Sequence, residues 1–335
     1  MKLMLILFLP TVAMAQSWIP QTIGTTASLR GVSAVDSGVV WASGTGGTFL
    51  RTADGGTNWQ VGQVPGAEAL DFRAVCGIDK QTAYLLSIGA GEKSRIYKTD
   101  DAGAHWTLQF TNPDAKGFLD GLAFWDAAHG IALGDPVGGQ FVVLTTGDGG
   151  VHWQRLPTPP AVPGEGAFAA SNTSLALMGT GEVWFGTGGP SGARVFHSQD
   201  GGRTWTVTST PVRNDGASAG IFSVAFQDAR QGIAAGGDYA KPGETTGNIA
   251  LTSDGGKTWS PPKGTPPAGF RSAVVYLADR QAWIAAGTSG SDISTDGGNS
   301  WRNFDRGNFN AVSFRSSAAG WAVGPQGRVA RFQWK

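Results

Sequence analysis

Seven short segments of the sequence each open on a large apolar residue, and the residue that follows is in most cases polar or charged. Arg30 follows Leu29, Arg73 follows Phe72 and Arg271 follows Phe270. Asp120 follows Leu119, Asn310 follows Phe309, and the other two places hold Ala169 and Ser223. If the seven segments are equivalent strands of a ring, these residues crowd one mouth of its central channel. Asp71, Asp135, Glu165, Asp238 and Tyr239 would join them from loops. The planar fork of arginine pairs with anions in two-pronged fashion. The expected site is a partly cationic pocket for a carboxylate, a phosphate or an acidic peptide. The alternative is that these groups satisfy one another and the channel water.

Catalysis asks for more. Cleavage of a glycosidic bond needs two carboxyl groups about 5 to 9 Å apart. Asp120 with Asp135 or Glu165 is a candidate pair, although the connecting loops are short for a deep sugar cleft. His105 and His152 share their place with Asn58, Thr204, Thr258 and Ser300 in other repeats, which argues against a role. His129 and His197 are isolated. No His, Asp or Glu cluster has metal-ligand spacing, and no phosphate loop, dinucleotide fingerprint or nucleophile elbow is present. No catalytic residue, metal or cofactor is therefore assigned. Cys76, the one cysteine, sits among apolar strand residues and reads as a small core residue.

The elements that hold these residues follow from an internal repeat. Six octapeptides share the pattern Ser/Thr-x-Asp-x-Gly-x-x-Trp. Their aspartates are Asp54, Asp101, Asp148, Asp200, Asp254 and Asp296, spaced by 42 to 54 residues. Their tryptophans are Trp59, Trp106, Trp153, Trp205, Trp259 and Trp301. The spacing fits one four-stranded propeller blade per repeat. Each octapeptide reads as a tight turn. Asp accepts hydrogen bonds from its own backbone, Gly takes positive φ, and Trp packs between blades. An EF-hand needs further ligands ending in a Glu, and these are missing.

Two strand-like segments precede each turn. The first set starts at Leu29, Phe72, Leu119, Phe168, Phe222, Phe270 and Phe309, which makes seven against six octapeptides. The chain ends in GRVARFQWK, like the third strand of a blade, and Ser17-Trp18 matches the end of an octapeptide. The expected fold is all-β: a seven-bladed β-propeller whose N- and C-terminal strands close the ring in one blade. Proline-rich pieces at Leu156–Pro163 and Pro261–Pro267 are expected to connect blades, and Gly236–Gly247 is expected to be a polar loop.

The octapeptides resemble the Asp-box, or bacterial neuraminidase repeat, of sialidases, sortilin-type receptors and some glycoside hydrolases. The layout as a whole resembles the photosystem II stability/assembly factor family and its relatives in non-photosynthetic bacteria. Unit sequences such as GIALGDP followed by TGDGGVHW carry this likeness, which spans the chain from about Ser17 onward. It implies scaffolding rather than catalysis. Sialidases carry an Arg-Ile-Pro motif in the first blade, and here Arg30-Gly31-Val32 departs from it. Glycoside hydrolysis stays as the alternative function.

Composition narrows the partners. Lys+Arg and Asp+Glu are equal at 25 each, so no bulk charge favours nucleic acid or an anionic membrane. Lys2, the apolar run Leu3–Leu9 and the Ala13-x-Ala15 site read as a secretory signal peptide over residues 1–15. Residues 16–335 are then one propeller domain with no transmembrane segment. The expected protein is secreted, periplasmic or extracellular, monomeric, and bound to a protein or peptide of the cell envelope.

Overall fold

The computed structural model describes residues 16–335, and the expected signal segment lies outside the described residues. Seven antiparallel sheets stand around one axis. Each inner strand packs on the inner strand of the next sheet, and the seventh meets the first. Blade 1 runs through the strands Leu29–Ala34, Val40–Gly44, Thr48–Thr52 and Gln60–Gln63, and blades 2, 3, 4 and 6 repeat that four-strand order. Seven apolar clusters form the core. Among the described residues no helix is long and apolar enough to cross a membrane.

The octapeptide turns knit neighbouring blades. In the first, Thr52 Oγ1 donates to Asp54 Oδ1 at 2.9 Å. It accepts from the Gly56 N–H at 3.0 Å, while Asp54 Oδ1 accepts from the Asn58 N–H at 2.9 Å. These bonds wind the turn so that Gly56 takes a φ of 90°. They also press it on the blade before: a Cβ there would stand 2.4 Å from the Trp321 ring of blade 7. The pattern recurs at Gly298, where a Cβ would meet Ile233 of blade 5 at 2.5 Å. Glycine is needed here for both φ and approach. The carboxylates are held strongly as anions. In Asp101 the His105 backbone N–H, then its ring, pulls the carboxyl down to about 2.

The octapeptide tryptophans were expected throughout the interblade core. Trp301 is buried there, among blade 5 residues, and its Nε1 donates to Gly298 O at 2.8 Å. The other five are half-buried, because the outer face of a blade keeps one edge of the ring in solvent.

Ring closure follows the expected plan. The strand Gln16–Gln21 pairs antiparallel with Val329–Trp334, in blade 7. Trp18 is buried opposite Phe332, and its Nε1 donates to Ser291 Oγ of blade 6 at 3.0 Å. It thus replaces the missing seventh turn as the clasp between those blades.

Two blades depart from the sequence reading. Blade 4 begins at Leu175–Met178, not at Phe168. Residues 167–174 instead cross the channel as a plug. Arg73 of blade 2 donates to Ala169 O at 3.1 Å, and the Leu122 N–H of blade 3 donates to Asn172 Oδ1 at 2.8 Å. The Val224 N–H of blade 5 donates to Thr173 O, and Ser171 Oγ donates to Ser272 O of blade 6 at 2.6 Å. Asn172 sits at a φ of 64°, which a regular strand does not allow and asparagine tolerates. Blade 5 has three strands. Pro261–Pro267 stands where a fourth would lie, because proline cannot donate to the ladder; only Ser260 bridges to Leu251.

Deleting Gln16–Thr22 exposes the edge of Val329–Trp334, so the truncated chain should lose stability and associate. In the intact chain, hydrogen exchange should be slow at both Ile19 and Val329, and fast exchange at both would contradict the closure. Trp301→Ala should cost about 3–5 kcal/mol as a buried aromatic. Asp200→Ala should cost roughly 1–2 kcal/mol through lost turn hydrogen bonds. Thermal melting unchanged in both would show that the turns are not structural.

Candidate functional site

The plug divides the channel. On the side where the inner strands begin it floors a cavity of ≈ 550 Å³, and its other face lines a smaller one of ≈ 260 Å³. The larger cavity brings together Arg30, Arg73, Asp120, Asp135, Tyr239 and Asn310. The first strand of each blade begins at this end and the second finishes there, so residues far apart in sequence converge. A bulge opposite Gly134 seats Asp120 beside Asp135.

The polar wall is tense. Arg73 Nε donates to Asp71 Oδ2 at 2.9 Å. Arg30 Nε is buried with no hydrogen-bond partner among the described residues. Burial, with the Arg73 charge next to it, lowers the Arg30 guanidinium to about 10, against a smaller pull from Asp71. Asp120 is 1% exposed and its Oδ2 has no hydrogen-bond partner among the described residues. Burial, then the Asp135 charge, raises its carboxyl well above the usual carboxylate range. Burial raises Asp135 as well, offset by the Ala167 N–H that donates to its Oδ1 at 2.9 Å.

The facing wall is aromatic. Phe168 of the plug stacks on Phe222 with centroids 3.8 Å apart. Phe270 and Tyr239 stand edge-on to Phe222 at 4.8 and 6.0 Å. Tyr239 is 54% exposed at the rim. In the sequence these phenylalanines mark only the starts of strand-like segments. The available signal was that the leading apolar residue is Phe in four successive segments, at 168, 222, 270 and 309, of which the first three line this cavity.

Three expected site residues lie elsewhere. Arg271 is fully buried and forms an ion pair with Asp292, with Nε–Oδ2 at 2.5 Å. Its strand starts at Ala273, so its side chain turns into the blade rather than the channel. Glu165 is buried in an ion pair with Arg194 and accepts from Thr187 Oγ1 at 2.5 Å. Asp238 is buried and accepts from the Ala240 N–H at 2.9 Å, which fixes the loop that carries Tyr239. Cys76 is half-buried beside the smaller cavity rather than in the core, and burial pushes its thiol up to about 11. Among the described residues no group of three or more His, Cys, Asp and Glu could hold a metal ion.

The fold and this plugged mouth define a seven-bladed β-propeller with one polar, aromatic-walled cavity. In sequence it is related to photosystem II stability/assembly factors. It is 23% identical over 260 residues to the chloroplastic photosystem II stability/assembly factor HCF136 of Arabidopsis thaliana, covering 73% of this chain and 58% of that protein. It is 26% identical over 199 residues to the photosystem II assembly lipoprotein Ycf48 of Synechococcus, covering 58% and 51%. A xyloglucanase of Hypocrea jecorina matches at 29% over 234 residues, covering 59% of this chain and 26% of that one. The chain thus spans between about a quarter and three-fifths of these curated relatives. No family model matches. YCF48 bound to D1 peptide superposes with a TM-score of 0.66 at 18% identity, covering 95% of this chain and 96% of that one. YCF48 from Cyanidioschyzon merolae gives 0.67 at 19%, covering 95% and 99%. These structural likenesses establish the fold.

The buried acid makes a pH prediction. A carboxyl whose folded value is raised favours the folded state below its unfolded value near 4, and that support is lost as pH rises toward the folded value. Asp120→Asn removes this loss. Its melting temperature should exceed that of the parent at pH 7, and the difference should vanish near pH 3. An equal or lower melting temperature at pH 7 would place a charged, well-paired Asp120 in the folded protein.

Proposed function

We propose that the chain is a non-catalytic, extracytoplasmic propeller that binds a protein or peptide at the plugged mouth and aids assembly of an envelope complex. The single observation that carries this is the pairing of two partly exposed arginines with an exposed tyrosine round one floored cavity. Such a mouth takes a carboxylate-bearing segment of a partner: the guanidinium groups bind the charge and the rings take an adjacent apolar side chain. The relatedness to assembly factors supports the reading, as does the fold shared with a protein solved bound to a peptide. The leader-like sequence at residues 1–15 supports the location.

Capture from native envelope extract tests it. The parent chain should retain a discrete protein that Arg30→Glu loses, at unchanged thermal melting. Equal capture by both would move the binding surface away from this mouth.

A second reading, glycoside hydrolysis, is favoured by Asp120 and Asp135 sharing the cavity and by the match to a xyloglucanase. A panel of fluorogenic glycosides decides between them. Turnover that disappears in Asp120→Asn would overturn the non-catalytic reading.

A further inference from the structure

The cavity sets three chemistries side by side. Arg30 and Arg73 stand on one wall, and Arg73 keeps part of its guanidinium exposed after pairing with Asp71 and Ala169 O. Asp135 and Asp120 lie next to them, and Asp120 Oδ2 is buried without a partner among the described residues. Phe168, Phe222 and Tyr239 form the opposite wall. The floor is closed by the plug, so a bound chain cannot pass through. At ≈ 550 Å³ the space lies within the range of small-molecule sites, about 300–1,000 Å³.

An anion alone would leave the acid wall unused, and an amine alone would face two guanidinium groups. One small ligand class satisfies both. We propose that this chamber binds a free α-amino acid with an aromatic or large apolar side chain. Its α-carboxylate pairs with Arg30 and Arg73, its α-ammonium pairs with Asp135 and donates to the buried Asp120 Oδ2, and its side chain packs among Phe168, Phe222 and Tyr239. Charge-assisted contacts at both ends set the specificity, and the rings supply the apolar area. It shares the mouth with the proposed partner capture and differs in what it requires, since an internal peptide residue has neither free terminus.

Calorimetric titration of the mature chain with L-phenylalanine, N-acetyl-L-phenylalanine and L-phenylalaninamide tests the proposal. L-phenylalanine should bind, and each blocked analogue should bind about tenfold or more weakly, because each loses one charge-assisted anchor. Tyr239→Ala, at an exposed rim position, should weaken L-phenylalanine without changing thermal melting. Asp135→Asn should narrow the gap between L-phenylalanine and its N-acetyl form. Equal binding of N-acetyl-L-phenylalanine would make this a pocket for an acid terminus and overturn the proposal. Equal binding of the amide, or no heat with any of the three at millimolar concentration, would overturn it too. Envelope capture scores the partner reading independently of each of these outcomes.

Discussion

The structure depends on one contact that recurs round the ring: the second glycine of an octapeptide turn faces a large residue of the preceding blade, pressed on it most tightly at Gly56, Gly103 and Gly298. The Ser/Thr hydroxyl and the Asp carboxylate fix that glycine in the left-handed region, and the missing side chain lets the blades close. In blade 5 the same turn brings Gly255 O within 3.2 Å of Trp184 Nε1 of blade 4, and in blade 3 Gly149 O accepts from Tyr84 OH of blade 2 at 2.7 Å. Blade 7 has no such turn, and Trp18 of the N-terminal strand takes over as its clasp. Local turn chemistry and long-range blade packing therefore agree, which is the mark of a sequence that specifies one fold.

That rigidity at one end of the strands frees the other. Turn residues lie away from the plugged mouth, so the mouth tolerates polar groups that the core would not. Asp120 and Arg30 keep buried polar atoms there with no partner among the described residues. Unsatisfied buried groups are costly and mark strained or functional places. The plug relieves part of this tension, since it brings Ala169 O to Arg73 and the Ala167 N–H to Asp135.

Much of the ring was legible because the turn leaves a signature at fixed offsets. Asp, Gly and Trp cannot be exchanged freely there, and six copies fix the blade count to within the closing strand. Blade 4 was misread for a physical reason. Phe168–Ser174 has a leading Phe like the inner strands, followed by two alanines and a polar run, yet its hydrogen bonds go to four other blades. The true strand, Leu175–Met178, was visible as a second apolar run just before Gly181. Arg30, Arg73 and Asp120 were legible as mouth residues because they hold a strand position. Arg271 was not, because its buried partner Asp292 lies in the third strand of the same blade, a pairing that no repeat position announces.

The central claim is that the plugged mouth, and not the turn face, is the working surface. A photoreactive residue placed at Tyr239, and in a second protein at Gln199 beside the Asp200 turn, tests this directly in native envelope. Both positions lie on the surface, and neither belongs to the core. Cross-linking to a discrete partner at Tyr239 and not at Gln199 is the result expected. A discrete adduct at Gln199 alone would contradict the account.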